Sequence, residues 1–378
     1  MPDTPLGLYI HWPYCARICP YCDFNVYRAR GDDSALFGAL LADLAYWAKE
    51  LPGRKLTSIH FGGGTPSLLQ PVQIGRLLKA AESRFGFERE IEIGLEANPN
   101  DAAGFRGFRD AGINRLSLGV QSFDDDALKA LGRDHDGAAS RTALETALSL
   151  FERISIDLIY ARDGQTVADW AAELSDALAM GVSHLSLYQL TIEPGTAFAR
   201  RVERGEIKPP GDELGERLYR MTQWLCRKAG FLPYEISNHA RPGAASRHNR
   251  LYWEGADWIG IGPGAHGRIG SHAKGGRLAT DTALRPADYI RRVSETGTGS
   301  RSDTLSALDE VRERILMGLR IDTGLDLEKL EQATGLTAGQ DETARYKAQG
   351  WLTKEGPRLR FTEEGRLLAD GLASALCP

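Results

Sequence analysis

Residues 6–24 read LGLYIHWPYCARICPYCDF, a strand-like apolar run followed at once by three closely spaced cysteines. Cys15, Cys19 and Cys22 are three of only five cysteines in the chain. This clustering is typical of a metal site in a reducing compartment rather than of a disulfide framework. Thiolates bind iron–sulfur clusters or zinc, and a zinc site here would need a further ligand such as His11.

The first two thirds of the chain alternate short β-rich runs with amphipathic segments. Strands that are nearly all apolar and that alternate with helices indicate parallel βαβ units. The expected strands are Leu6–His11, Leu56–Phe61, Ile91–Leu95, Arg115–Val120, Ile154–Ile159 and His184–Gln189. Six such units predict an α/β protein with a partial (β/α)6 barrel, whose functional residues follow the carboxyl ends of the strands.

Three regions of different character divide the chain. Residues 1–200 carry the barrel pattern and the cysteine loop, and residues 201–304 are expected to complete the barrel. Residues 305–378 read as three helices and a hairpin, which predicts a small winged-helix-like α+β domain. Ten Lys and Arg against thirteen Asp and Glu in Ser306–Pro378 argue against a nucleic-acid partner.

Composition excludes several classes of protein. Of 378 residues, 42% are hydrophobic and 26% are charged, with a net charge of −5, the balance of an ordinary globular chain. No apolar run reaches the roughly 18 residues that a membrane-spanning helix needs. The first residues lack the basic and apolar regions of a secretory signal. We therefore expect a cytoplasmic protein with no integral membrane segment.

The spacing Cys15-x3-Cys19-x2-Cys22, with Tyr21 before the last cysteine, resembles the signature of the radical S-adenosylmethionine (SAM) superfamily. The resemblance implies a partial (β/α)6 radical-SAM barrel in which the three cysteines hold a [4Fe-4S] cluster. It also implies that the remaining iron binds SAM, and that one electron cleaves SAM to methionine and a 5′-deoxyadenosyl radical. With this resemblance, the cluster is favoured over zinc.

A glycine-rich turn, Gly62–Pro66, follows the second expected strand. Glycine lets a ligand approach the backbone closely, and the turn resembles the superfamily motif that receives the SAM amino group. The resemblance to the coproporphyrinogen dehydrogenase-like branch (HemN and HemW) implies SAM contacts at Tyr9, Tyr21, Gly63, Gly64, Thr65, Glu96, Gln121, Arg133 and Asp157. From the residues alone, an equally good interpretation is that Glu96 and Asp157 are helix N-caps and that Arg133 is a solvated surface residue.

A second motif, His248-Asn249-x-x-Tyr252-Trp253, resembles the HNxxYW motif of the HemW heme-chaperone family. Histidine can bind heme iron, aromatic rings can stack on a porphyrin, and arginines can pair with its propionates. Residues 239–277 hold six Lys and Arg against two acids, which suits an anionic ligand. The alternative is that His248 and Trp253 only pack and hydrogen-bond at the edge of the barrel.

The resemblance to HemW implies a heme chaperone that binds heme and transfers it to an acceptor hemoprotein, with a [4Fe-4S] cluster and SAM. An electron donor is a further implied partner, and a homodimer and SAM cleavage stay open. Phe24 stands where the resembling oxidases have a fourth cysteine, and only fourteen residues precede Cys15, fewer than in those oxidases. These features favour the chaperone over an oxygen-independent coproporphyrinogen III dehydrogenase. A third hypothesis is a cluster-bearing regulator that uses the winged-helix-like tail.

Overall fold

The computed structural model describes residues 4–29 and 31–378. Its strands are β1 Leu6–Trp12, β2 Tyr14–Cys15, β3 Tyr27–Arg28, β4 Leu56–Gly63, β5 Phe87–Ala97, β6 Arg115–Gln121, β7 Arg153–Tyr160, β8 His184–Gln189, β9 Leu232–Pro233, β10 Asn238–Ala240, β11 Asp257–Ile261, β12 His266–Ser271, β13 Gly276–Thr282, β14 Ser300–Leu305, β15 Leu325–Asp326, β16 Leu352–Glu355 and β17 Arg358–Phe361.

The α-helices are α1 Ser34–Glu50, α2 Pro71–Phe85, α3 Phe105–Asp110, α4 Asp125–Ala130, α5 Gly137–Leu150, α6 Val167–Ala179, α7 Ala197–Glu203, α8 Asp212–Lys228, α9 Arg247–Trp253, α10 Pro286–Thr296, α11 Ala307–Gly318, α12 Leu327–Thr334, α13 Gln340–Ala348, α14 Glu363–Arg366 and α15 Ala369–Ala375. Short 3-10 helices occupy Pro66–Leu68, Pro99–Gly104 and His272–Lys274. None of the helices in the described part of the chain has the length and apolar character of a membrane span.

One twelve-stranded sheet dominates the fold, in the order β14-β13-β12-β11-β1-β4-β5-β6-β7-β8-β10-β9. The six strands predicted from the sequence are β1 and β4–β8, which lie side by side in chain order and run parallel. This confirms the α/β class. Because β14 and β9 form the two edges, the sheet is open and does not close into a barrel.

The two faces of the parallel sheet differ in polarity. Side chains alternate between faces, and on β1 the buried residues Leu8, Ile10 and Trp12 belong to the main apolar core with the surrounding helices. Tyr9 and His11 take the intervening positions on the opposite face, which we call the inner face. The inner face therefore offers polar side chains where a purely structural sheet would be apolar.

Four strands between residues 257 and 305 were not predicted. β11 extends the parallel sheet beside β1, and β12, β13 and β14 continue it with antiparallel pairing. The sequence between β11 and β14 is rich in glycine, which conceals the alternation by which strands are recognised.

The C-terminal region contains the predicted three helices and hairpin, here α11, α12, α13, β16 and β17. β15 joins the hairpin as a third strand, and α14 and α15 follow it. A separate apolar core that includes Val311, Leu330 and Leu359 holds these elements together. We call residues 307–378 the C-terminal unit.

Trp170 on α6 is fully buried, stacks on Tyr160 at 5.0 Å between ring centroids, and donates to the Thr222 hydroxyl at 2.8 Å. We expect Trp170→Ala to lower the free energy of unfolding by about 3–5 kcal/mol, because it removes a large core side chain and its hydrogen bond to Thr222. Chemical denaturation measures this. Trp224→Ala on α8, where the ring is 55% exposed, is the control and should cost far less. Equal losses would contradict the packing described.

Candidate functional site

A cavity of about 430 Å³ lies at the carboxyl ends of the parallel strands. Its lining includes most of the side chains that the sequence had singled out for a cluster and SAM. These are Cys15, Tyr21, Cys19, Cys22, Gly63, Gly64, Thr65, Glu96, Gln121, Arg133 and Asp157. Tyr9 is not part of this lining and lies deeper on the inner face, with its ring stacked on His60. We call this space the cysteine cavity.

The glycine turn is pressed against the cysteine loop. The Gly64 amide donates to the Trp12 carbonyl at 2.7 Å, and the Thr65 amide donates to the Tyr14 carbonyl at 2.8 Å. A Cβ at Gly64 would lie 2.7 Å from that Tyr14 oxygen and 3.0 Å from the Cys15 sulfur. Only glycine fits here, because a side chain would push the turn away from the cysteine it helps to position.

The three thiols suit a metal cluster that displaces their protons. Burial raises the pKa of Cys22 to about 11, and burial also raises the pKa of Cys15, against the lowering effect of a hydrogen bond with Thr65. Metal binding would convert these buried neutral thiols to thiolates with release of protons. Among the described residues, no group of three or more His, Cys, Asp or Glu is arranged around a single ion. In a four-iron cluster each thiolate instead binds a separate iron.

His11 is not available as the fourth ligand of a zinc site. One of its ring nitrogens, Nδ1, bonds the Tyr9 hydroxyl at 2.9 Å, and Nε2 bonds the Asn25 carbonyl at 3.0 Å. Burial lowers the pKa of His11, so the ring is neutral and donates through only one of these nitrogens. The zinc alternative would therefore have to break this bridge between β1 and the cysteine loop.

Glu96, at the end of β5, projects from the inner face into the cysteine cavity. Its Oε1 lies 3.1 Å from His60 Nε2, and its Oε2 accepts from the Gly63 amide at 3.2 Å. Because Glu96 lies within a strand, its alternative interpretation as a helix N-cap is wrong. His60, which the sequence analysis did not select, orients this carboxylate, and its place three residues before Gly63 is the signal that could have identified it.

Arg133 is not the solvated surface residue that its sequence context allowed. Its guanidinium lies 3.4 Å from the Cys19 sulfur, bonds the Asn98 side chain, and donates to the Gly119 carbonyl at 3.0 Å. A fixed positive charge beside Cys19 stabilises a thiolate at that position. Arg133 thus joins the cysteine loop to the ends of β5 and β6.

Two non-glycine residues in the left-handed region flank the cavity, Gln121 at φ 68° and Ala161 at φ 61°. Such backbone strain in a packed structure marks positions that the surroundings hold in place. Glu173 on α6 supplies part of that support, since it accepts from the Ser122 hydroxyl at 2.5 Å, the Phe123 amide at 2.9 Å and Arg162 at 2.7 Å. No local pattern indicated Glu173, which lies 51 residues from Ser122.

Asp157 lies in the middle of β7, so it is not a helix N-cap either. The Ser117 hydroxyl lies 3.1 Å from each of its carboxylate oxygens. Burial raises the pKa of Asp157 to about 6, although hydrogen bonds from Ser186 and Ser117 lower it. Asp157 can therefore hold or release a proton near neutral pH at the floor of the cysteine cavity.

The structure does not bring the predicted heme residues to this cavity. α9 lies across the amino ends of the parallel strands, where the His248 amide donates to Glu92 at 3.0 Å. The two ring nitrogens of His248 are already occupied, Nδ1 by the Ser58 hydroxyl at 2.7 Å and Nε2 by the Tyr252 hydroxyl at 2.6 Å. His248 is 1% exposed, and burial holds its pKa well below the usual value. In this arrangement the ring has no free nitrogen for a heme iron.

The other two members of the motif are also engaged in packing. Asn249 donates to the Tyr234 hydroxyl at 3.2 Å, and the Arg320 guanidinium lies 5.3 Å above the Trp253 ring. α9 therefore closes the amino end of the sheet, as the packing alternative for His248 and Trp253 proposed.

Comparisons with known proteins agree with this site. The radical SAM superfamily model matches residues 9–177, and the model of the HemN C-terminal domain matches residues 305–368. The chain is 38% identical to the bovine mitochondrial protein named radical S-adenosyl methionine domain-containing protein 1, over 98% of this chain and 87% of the relative. It is 36% identical to a Mycobacterium tuberculosis protein named heme chaperone HemW, over 100% of this chain and 96% of the relative.

Among solved structures, the Escherichia coli coproporphyrinogen III oxidase HemN, described as a radical SAM enzyme, superposes with a TM-score of 0.83 at 25% identity. The match covers 100% of this chain and 91% of HemN. Fold, cysteine loop and glycine turn together define a radical SAM protein with sites for a [4Fe-4S] cluster and SAM. Within that superfamily, the chain belongs to the HemN/HemW family, alongside the proteins named heme chaperone HemW.

Asp157 predicts a specific pH dependence of stability in the cofactor-free protein. Because the folded carboxyl binds its proton more tightly than the unfolded one, stability falls as the pH rises through about 6. Between pH 4.5 and 7.5 this amounts to about 2 kcal/mol. Asp157→Asn should remove that decrease, so urea unfolding of both proteins at the two pH values measures it. A parallel pH dependence in the two proteins would contradict the raised pKa.

Proposed function

We propose that this protein is a heme chaperone of the radical SAM superfamily, which binds heme and passes it to an acceptor hemoprotein. The observation that carries the proposal is the full-length likeness to proteins named heme chaperone HemW, at 36% identity, in a chain with an intact cysteine cavity. The bovine relative of similar identity is named only for its radical SAM domain, so its name does not support a particular function.

The residue roles follow from the geometry of the cysteine cavity. Cys15, Cys19 and Cys22 would each hold one iron of the cluster, which when bound supplies an electron to SAM. The backbone of Gly63 and Gly64 offers polar groups at close approach, since neither residue has a side chain in the way.

The remaining polar residues of the lining act on SAM or on the thiolates. Glu96 is positioned to accept from the SAM amino group, and Arg133 provides positive charge beside Cys19. Gln121 and Asp157 would bind further polar atoms of SAM, and Tyr21 lies at the rim with its ring on Phe198 at 6.1 Å. Thr65 forms a hydrogen bond with Cys15. Tyr9 lies deeper on the inner face and supports the site through its hydrogen bond with His11.

The alternative function is that of an oxygen-independent coproporphyrinogen III dehydrogenase. The close superposition on HemN favours it, since both chains share the whole fold. Phe24 argues against it, because this 59% exposed aromatic stands where the resembling oxidases have a fourth cysteine. Exposure of Phe24 beside the cysteine loop instead suits contact with another protein.

Three finer points belong to the same proposal. An electron donor is needed to reduce the cluster, and the exposed side chains Ile18 and Phe24 are the part of the cysteine loop that a donor would meet. Thiolate ligands require a reducing compartment, which supports a cytoplasmic location. A homodimer is proposed as the assembly to test first, by sedimentation with and without the cluster.

The function is tested with anaerobically reconstituted protein, SAM and a reductant. One sample receives coproporphyrinogen III and the other receives hemin, followed by apomyoglobin as a probe acceptor. We expect retained heme, transfer to apomyoglobin, and no decarboxylated porphyrin by mass spectrometry. Decarboxylated product with repeated turnover would establish the dehydrogenase activity instead. Absence of any heme binding would contradict the chaperone function.

Cluster ligation predicts a contrast between two cysteines. Reconstituted wild-type protein should hold about four irons per chain. Cys22→Ala should lose most of this iron and the broad visible absorbance of the cluster, because one corner of the cluster has no thiolate. Cys226→Ala, at a fully buried site on α8, should keep the iron and lose only thermal stability. A Cys22→Ala protein with a full complement of iron would contradict the assignment.

A further inference from the structure

A second cavity, of about 990 Å³, lies between α8 and the C-terminal unit. It has more than twice the volume of the cysteine cavity and lies at the upper end of the range, about 300–1,000 Å³, in which proteins hold small molecules. Tyr219 on α8 lines it together with Arg345, Trp351 and Arg366 of the C-terminal unit. We call it the interdomain cavity.

Two guanidinium groups of the interdomain cavity are bonded to uncharged oxygens. Arg345 donates to the Tyr346 hydroxyl at 2.7 Å, and Arg366 donates to the Glu235 backbone carbonyl at 3.2 Å. Neither contact neutralises the positive charge. Both arginines can therefore bind an anionic group without first breaking an ion pair.

The carboxylates of the same cavity are largely engaged already. Asp370 pairs with Arg320 at 2.9 Å, and Glu216 pairs with Arg220 at 2.7 Å. Asp212, in the first turn of α8, is the remaining acidic residue in the lining and is exposed to solvent. Of the three arginines and three acids in the lining, Arg345 and Arg366 are the two cations that form no ion pair in the described part of the chain.

The walls between these charges are aromatic and apolar. Tyr219 of α8 and Trp351 of the C-terminal unit both line the interdomain cavity, and Leu367 and Leu368 contribute aliphatic surface. Leu368 is 47% exposed, so this surface reaches the mouth of the cavity. A flat apolar molecule with two negative groups matches this combination of walls and charges.

The interdomain cavity adjoins the cysteine cavity. Gln189, the last residue of β8, lines both spaces. The Gln189 side chain can therefore contact a ligand in either cavity. A ligand of the interdomain cavity would therefore lie beside the site of the cluster and SAM, not at the far end of the sheet where α9 lies.

The two places that the sequence analysis singled out fit a heme less well. The cysteine cavity, of about 430 Å³, has a cluster and SAM to accommodate. His248 is buried at the amino end of the sheet, and its two nitrogens are bonded to Ser58 and Tyr252. Binding of heme iron there would orphan two hydroxyls and displace α9 from the strands it covers.

We propose that the interdomain cavity is the heme site of this protein, an inference that rests on the proposed heme-chaperone function. The two propionates pair with Arg345 and Arg366, whose planar groups match carboxylates with parallel hydrogen bonds. The macrocycle lies between the Tyr219 and Trp351 rings. Recognition depends on the propionates and the flat ring, and not on a histidine of α9.

The test uses the full-length, reconstituted protein titrated with ferric heme, followed by absorbance and by quenching of tryptophan fluorescence. The double variant Arg345→Gln/Arg366→Gln should raise the heme Kd by about tenfold or more, since it removes both charged partners. Heme dimethyl ester, which lacks the carboxylates, should bind the wild-type protein as weakly as heme binds the double variant. Iron content and SAM binding should be unchanged.

Lys347→Gln is the matched control, because Lys347 is exposed on α13 two residues after Arg345 and does not line the interdomain cavity. It should bind heme like the wild type. His248→Gln, which keeps a polar side chain between Ser58 and Tyr252, should also retain heme.

The outcomes separate the site from the function. Wild-type protein that binds no heme would overturn the chaperone function and the site with it. Heme binding that is unchanged in the double variant, or equal for the dimethyl ester, would overturn the interdomain site alone. If His248→Gln then abolishes binding while circular dichroism shows an intact fold, heme binds at α9.

Discussion

The parallel pairing of β1 with β4 is the constraint on which the site depends. The register sets Trp12 opposite Gly63, so the cysteine loop and the glycine turn leave the sheet at the same level. The Gly64 amide then reaches the Trp12 carbonyl at 2.7 Å. A side chain at Gly64 would meet the Tyr14 carbonyl and the Cys15 sulfur, so sequence and register are tied together. A shift of register would separate Cys15 from the turn and remove the cysteine cavity.

A polar inner face needs closure at the end of the sheet away from the ligands, and α9 provides it. Glu92, buried in β5 opposite Ser58 of β4, lies 3.1 Å from Arg153 and 3.6 Å from Arg115, and it accepts from the His248 amide. Buried charges of this kind are costly unless each is paired and hydrogen-bonded. The His248 backbone amide and the Ser246 hydroxyl complete that pairing, and the His248 ring is held between the Ser58 and Tyr252 hydroxyls, which gives the histidine and tyrosine of the motif a structural role. The same sheet thus carries a closed amino end and an open carboxyl end.

Local pattern predicted the elements well, and long-range contacts account for what it missed. The six parallel strands, the cysteine loop and the glycine turn each have a signature within about ten residues, and the structure has them where expected. The support of Gln121 by Glu173, and the burial of His248 against Ser58 across 190 residues, depend on side chains that meet only after folding. Ala161, just after β7, has the left-handed backbone that a glycine adopts more easily, and no local pattern indicated it.

The position of Gln189 between two cavities bears on why a heme carrier would keep a cluster and SAM. Two ligands influence each other only if each binds one conformation of a shared element better than another. β8 is such an element, since its last residue lines both cavities and its partner strand β7 carries Asp157. Burial raises the pKa of Asp157 to about 6. A ligand bound against this carboxyl would change its pKa and so its protonation. A heme in the interdomain cavity, as proposed, would rest against the same strand, so the cluster and SAM would influence it through β8 without acting on it chemically.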